Sequence, residues 1–204
     1  MLEVVNLGCV RGTRRLFKGL AFSLEPGRIL EVRGPNGGGK TSLLRILCGL
    51  MTPAEGEVRW CGKTIGSQRE EYAGVVAYIA HQNGVKDELS VLENLRLSVG
   101  LRGAPLGQGT ARAMLERLGL ASREALPVKV LSAGQRRRLA LARLSVAGAT
   151  LWLLDEALSS LDDAGAVLAH QLMDEHLENG GMAVVATHQD LNLTATSTRL
   201  DLAS

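Results

Sequence analysis

A chain of 204 residues with 46% hydrophobic side chains fits one domain with a sizeable core and room for a subdomain. Its net charge of +2 is too small to argue for nucleic acid, and 3% aromatic residues speak against a stacking platform for unpaired bases. No apolar run is long enough to span a bilayer, and Met1 to Asn6 lacks the basic and apolar regions of a signal peptide, so the chain is expected in the cytosol, reaching a membrane only through partners.

From the N-terminus, strand-like patterns run over residues 2–8, 14–24, 28–33 and 56–60, broken by Gly and Pro turns. Ile29-Leu30-Glu31-Val32-Arg33 leads into Gly34-Pro35-Asn36-Gly37-Gly38-Gly39-Lys40-Thr41, which fits the phosphate-loop pattern G-x-x-x-x-G-K-[ST] without a mismatch. Glycines let successive backbone N–H groups turn toward phosphate oxygens that a Cβ would obstruct. Lys40 supplies a flexible cation for the β- and γ-phosphates, and Thr41 a hydroxyl for Mg²⁺. A helix from Ser42 to Leu50 follows, with Leu43, Leu44, Ile46 and Leu47 inward and its positive end at the phosphates, so Ser42 joins the binding set.

Val75 to Ala80 is the next strand. Residues of about 84 to 130 then change character, with helical spacing at Val91–Leu95 and Ala111–Leu118 between glycines, and read as a helical insertion. A helix (about 134–147), a strand (151–155), a helix (about 162–179), a strand (182–187), a short helix and a final strand complete the chain. Helices alternating with apolar strands predict an α/β fold with a parallel sheet covered on both faces.

Leu151-Trp152-Leu153-Leu154-Asp155-Glu156 is a buried strand ending in two acids. At the carboxyl end of a central strand Asp155 would lie beside the phosphate loop and hold Mg²⁺, directly or through water. Glu156 would point the other way along the strand period and polarise a water aimed at the γ-phosphate. Cys9, Cys48 and Cys61 are odd in number and have no metal spacing, so they read as reduced thiols in strands and core. His81, His170 and His176 read as structural.

Leu131-Ser132-Ala133-Gly134-Gln135 opens a helix whose end would bind an anion through Ser132 and the backbone N–H groups beside Gly134. It resembles the L-S-G-G-Q signature of ATP-binding cassette (ABC) ATPases, with Ala133 replacing the first Gly. Phosphate loop, signature and strand-end Asp-Glu together are specific to that family. The resemblance implies a P-loop NTPase of ABC type: a mixed or parallel sheet core, an antiparallel β subdomain and a helical subdomain within one domain over 1–204. It implies ATP and Mg²⁺ as ligands, and two copies face to face, with Ser132, Gly134 and Gln135 of one copy on the γ-phosphate held by the other. Gln82 corresponds to the Q-loop glutamine, a contact of Mg²⁺ or the attacking water. Ser160-Leu161-Asp162 resembles the D-loop at the dimer interface, and His188 the H-loop histidine that contacts the γ-phosphate and orients the water–Glu156 pair. Arg136, Arg137 and Arg138 are expected on a solvated helix face near the nucleotide.

Two positions depart from the family. Ala157 stands where Pro usually follows the catalytic Glu, which loosens that turn and puts the hydrolysis rate in question. No aromatic stands near Gly8-Cys9-Val10-Arg11-Gly12 to stack on adenine; Arg11 would stack there through its guanidinium plane, or be an exposed turn arginine.

Lys40-Thr41-Ser42-Leu43-Leu44-Arg45-Ile46-Leu47, Ala80-His81-Gln82-Asn83-Gly84-Val85-Lys86, the signature with its arginine run, and Ala149 to Glu156 further resemble the ATP-binding subunit of the cytochrome c maturation system. That resemblance implies a homodimer on the cytoplasmic face of the bacterial inner membrane, beneath integral membrane subunits supplied as separate chains. It implies ATP hydrolysis spent on haem export or on release of haem from a chaperone. No C-x-x-C-H occurs, so haem is expected on the partners. The alternatives are an ABC ATPase for another substrate, a soluble non-transport ABC protein, and a subunit that only clamps ATP.

Overall fold

The computed structural model describes residues 1–80, 84–100, 105–158, 161–188 and 196–202. Strand β1 (Leu2–Arg11) turns at Gly12-Thr13 into antiparallel β2 (Arg14–Leu24), pairing Arg11 with Arg14. Strand β3 (Ile29–Arg33) follows, and the phosphate loop runs from it into helix α1 (Lys40–Leu47). Strand β4 (Glu55–Trp60) returns beside β1, and the short β5 (Lys63–Thr64) completes an antiparallel sheet of order β2-β1-β4-β5. Gly56 is obligatory in β4. Its φ is 75°, and a Cβ there would stand 2.3 Å from the carbonyl oxygens of Val5 and Asn6.

Helix α2 (Arg69–Val75) then leads into β6 (Val76–Ile79). Sequence periodicity misses α2 because Tyr72 is its one buried residue. The Tyr72 hydroxyl donates to the Leu47 carbonyl at 2.6 Å, satisfying an open acceptor at the end of α1. Helices α3 (Val91–Gly100) and α4 (Gln108–Arg117) form the helical stretch, followed by α5 (Ala133–Val146). Strand β7 (Leu151–Asp155), helix α6 (Asp163–Glu178), strand β8 (Met182–Ala186) and strand β9 (Ser197–Asp201) finish the described chain. The short helix expected before the last strand falls largely on 189–195, outside the described residues.

The second sheet runs β6-β7-β8-β3-β9, with every neighbouring pair parallel. The alternation of side chains along a strand divides it between two cores. Ile29, Trp152, Leu154, Ala183 and Val185 face a core shared with α3 to α6, while Leu30, Val32, Leu151, Leu153 and Val184 face one shared with α1, α2 and the antiparallel sheet. Each large aliphatic side chain removed from water contributes about 1.5–3 kcal/mol. Burial on both faces is why β7 and β8 read as unbroken apolar runs. Among the described residues no helix is long and apolar enough to cross a membrane.

Two expectations need correction. Cys61 is exposed in the turn after β4, with φ 51°, rather than in a strand or the core. The three arginines do not share a solvated face, because consecutive helical residues point about 100° apart. Arg137 is buried, Arg138 donates to the Leu118 carbonyl at 3.0 Å, and Arg136 donates to the carbonyl of Lys129 at 2.8 Å.

Candidate active site

Three adjacent strands bring the site together. Asp155 on β7 pairs with Ala186 on β8, and Ala186 pairs with Val32 on β3, so their carboxyl ends are level. The next residues along the three strands are Glu156, Thr187-His188 and the loop from Gly34, which therefore meet at one edge of the sheet. Gly39, the N-cap of α1, has φ 104°, and a Cβ on it would sit 3.0 Å from the Phe17 ring, so the loop's close seat on β2 requires glycine.

Lys40 is buried at 6% exposure, with its ammonium turned back into the loop. Its Nζ donates to the carbonyls of Gly34 at 2.9 Å and Pro35 at 3.3 Å. His188 Nε2 stands 3.1 Å from Lys40 Nζ, 3.1 Å from Asn36 Oδ1 and 3.3 Å from Glu156 Oε1. One ring nitrogen thus faces a donor and two acceptors. The tautomer with hydrogen on Nε2 serves Asn36 or Glu156, and the other accepts from Lys40.

A cleft of about 460 Å³ opens over this cluster. Arg11, Arg14 and Leu16 border it on the β1–β2 side, and Asn36, Gly37 and Gly39 to Ser42 form its floor with Arg45 and Glu156. Four lining cations (Arg11, Arg14, Lys40, Arg45) face one lining carboxylate, so the cleft suits a polyanion such as a triphosphate. Arg45 lies one helical turn beyond Thr41, a spacing readable in the sequence but not singled out there.

Asp155 is 3% exposed and accepts a hydrogen bond from the Tyr78 hydroxyl at 3.3 Å. Burial and then the Asp155 charge raise the Tyr78 phenol above its ordinary value, against a lowering by Arg45. Among the described residues no group of three or more His, Cys, Asp or Glu is arranged to hold a metal ion by itself. Mg²⁺ takes few protein oxygens and keeps waters and phosphate oxygens as its other ligands; Thr41 borders the cleft, whereas Asp155 is buried beside it and is not among its lining residues. Gln82, expected to join them, lies outside the described residues, as does Ser160.

Glu156 departs from the expected strand alternation. The strand ends at Asp155, and Glu156 takes φ 54°, a left-handed turn that carries its carboxylate to His188 and the cleft. Its N–H donates to the Ala186 carbonyl at 2.9 Å, and its own carbonyl accepts from Arg137 Nη2 at 3.0 Å. Burial lowers the Arg137 pKa, opposed by the Glu156 charge. Sequence reasoning gave Arg137 no such part. Ala157, where the family usually has Pro, is fully buried.

The signature residues lie apart from this cleft. Ser132 caps α5 by accepting from the Gln135 N–H at 3.2 Å, and the Gln135 side-chain oxygen accepts from the Ser132 N–H at 3.0 Å. Asp162 caps α6 by accepting from the Gly165 N–H at 2.9 Å and lies 3.5 Å from Arg138. Neither these residues nor Gly134 border the cleft.

A family model described as "ABC transporter" matches residues 17–159. The chain is 52% identical to the "Cytochrome c biogenesis ATP-binding export protein CcmA" of Nitrosospira multiformis, over 94% of this chain and 93% of that protein. It is 49% identical to the protein of the same name from Nitrosomonas europaea, over 94% and 90%. Among solved structures, an ABC transporter ATP-binding protein from Pyrococcus furiosus superposes with TM-score 0.85 at 22% identity, covering 98% of this chain and 96% of that one. A dimeric ATP-binding cassette bound to ADP and phosphate superposes at 0.81 with 24% identity, covering 100% and 97%. Those two likenesses concern the fold. The family match and the near-full-length relatives reach further: the chain belongs to the ABC transporter family and, within it, groups with the proteins named CcmA.

Proposed function

We propose that this chain is the ATP-binding and hydrolysing subunit of a membrane ABC complex for cytochrome c biogenesis, powering haem export or release of haem from its chaperone. The observation that carries the ATPase reading is the meeting of Lys40, His188 and Glu156 within 3.3 Å contacts beneath a cation-rich cleft. The relatives' names support the pathway.

In this reading the triphosphate lies over Gly34, Pro35, Asn36, Gly37, Gly38 and Gly39, with backbone N–H groups toward its oxygens. Lys40 turns from the Gly34 and Pro35 carbonyls to the β- and γ-phosphates. Arg11 covers the base, with Arg14 beside it. Water attacks the γ-phosphorus in line as ADP leaves, and Glu156 accepts the proton the water gives up. His188 donates to a γ-phosphate oxygen and keeps Glu156 aimed at the water. Thr41, Asp155 and Gln82 would hold Mg²⁺, which when bound neutralises charge on the β- and γ-phosphate oxygens. Ser132, Gly134 and Gln135 would complete the site of a second copy, with Asp162 at the interface between them. Residues of about 84–130 would act as a helical subdomain that carries closure to integral membrane subunits, on the cytoplasmic face of the inner membrane.

Glu156→Gln tests the chemistry. It should retain ATP affinity and lose about 10²–10⁴-fold in turnover, the range of a general base. Hydrolysis at the parent rate would remove Glu156 from that role. Lys40→Ala in the native host, with membranes stained for covalent haem, tests the pathway: holo-cytochromes c should vanish while other haem proteins persist. Unchanged holo-cytochromes c would leave an ABC ATPase with another cargo.

A further inference from the structure

Arg137 is 7% exposed although it belongs to a run of three arginines. Its guanidinium crosses from α5 to the turn after β7 and donates to the carbonyl of Glu156 at 3.0 Å. That carbonyl belongs to a residue with φ 54°, a conformation in which Cβ crowds the following carbonyl and which side-chain-bearing residues seldom hold unaided. The N–H of the same residue is tied to β8 through the Ala186 carbonyl at 2.9 Å. Residue 157 adds no restraint of its own, since Ala leaves φ free where Pro would fix it. The Glu156 carboxylate stands 3.3 Å from His188 only while its backbone keeps this turn.

We propose that Arg137 is a positioning residue for Glu156: it holds the left-handed peptide from the α5 side and so keeps the carboxylate aimed into the cleft. The inference rests on Glu156 being the general base. Arg137 does not border the cleft, and its contact with Glu156 is made to the backbone carbonyl. Its effect should therefore fall on turnover and leave ATP affinity intact, because the phosphate loop and its lysine are built from β3 and α1.

The test uses the full chain in its membrane complex. Arg137→Met keeps an unbranched stem in the buried slot and removes every donor. Steady-state kcat should fall about tenfold or more, the scale of a misplaced catalytic group, while KM and the Kd of a fluorescent ATP analogue stay within about twofold of the parent. Arg137→Lys, which returns a charged N–H donor on a long stem, should recover most of the loss. On the Glu156→Gln background, adding Arg137→Met should change the residual rate by less than about twofold, since both act through one group. Should the Met variant not fold, Arg137→Lys and Arg137→Gln are compared by the same split of kcat from KM. Parent-like kcat in Arg137→Met, an equal loss of ATP binding, or losses that multiply on the Gln background would each overturn the inference. Parent-like hydrolysis by Glu156→Gln alone would instead overturn the base assignment on which it stands.

Discussion

Lys40→Met isolates the charge at the centre of the site, because Met keeps an unbranched stem in the space of a residue only 6% exposed. The ammonium donates to two carbonyls, those of Gly34 and Pro35, at 2.9 and 3.3 Å. ATP binding exchanges them for phosphate oxygens. Both sets of bonds carry the ammonium's charge, but only the phosphates add an opposite one, so the exchange favours the complex by about 2–3 kcal/mol, within the ~4 kcal/mol Coulomb energy of two unit charges about 4 Å apart at an effective dielectric of about 20. At 1.4 kcal/mol per decade this predicts a Kd raised about 30- to 150-fold. The assay is equilibrium titration with a fluorescent ATP analogue in EDTA, which removes the divalent cation as a second variable. A Kd within about threefold of the parent would refute the reasoning, because no rearrangement of the loop replaces a missing cation.

The remaining predictions concern the scaffold. Gly56→Ala places a methyl 2.3 Å from two backbone oxygens at φ 75°, so strain and overpacking should cost about 2–4 kcal/mol, at about 2–4 °C in Tm per kcal/mol; a melting curve displaced by less than about 2 °C would contradict the tight β1–β4 approach. His176 stacks on Trp152 with ring centroids 3.9 Å apart, its Nε2 is 3.1 Å from the Met182 carbonyl, and burial lowers its pKa against the raising effect of backbone carbonyls. A lowered folded pKa means that the unfolded chain takes up the proton first as pH falls. The stabilisation is thus complete above about pH 6.5 and declines as pH drops through the lower folded value. Denaturation midpoints should fall between pH 7 and 5.5 in the parent and less steeply in His176→Phe; equal slopes would show that this ring does not titrate on unfolding.

Most of the architecture was legible because it rests on local patterns. The buried strands β7 and β8 declare themselves as apolar runs, and the phosphate loop needs glycines at positions no other residue fills. The exceptions depend on contacts between segments. Tyr72 is the one buried residue of α2, whose value lies in an acceptor on α1 that no window of sequence contains. Arg137 looks like one of three solvated charges until α5 is laid against the turn after β7. The chemistry of Glu156 is legible from its residue type and place, yet its aim comes from a left-handed φ that strand alternation does not predict.

The division of polar groups across the surface explains why one copy cannot be the working unit in the proposed mechanism. The cleft holds the phosphate loop, Glu156 and four cations. The N-terminus of α5 does not border it, and within its own copy the Ser132 and Gln135 side chains close each other's backbone hydrogen bonds. A capping hydroxyl that accepts from the helix keeps its own hydrogen for a further acceptor. An anion placed there must come from elsewhere, and a second copy's γ-phosphate has the charge that a helix N-terminus favours. The same helix holds the Glu156 carbonyl through Arg137, five residues after Ser132. In the proposed mechanism, a displacement of α5 on meeting the neighbouring nucleotide would reach Glu156 of its own copy through the Arg137 contact.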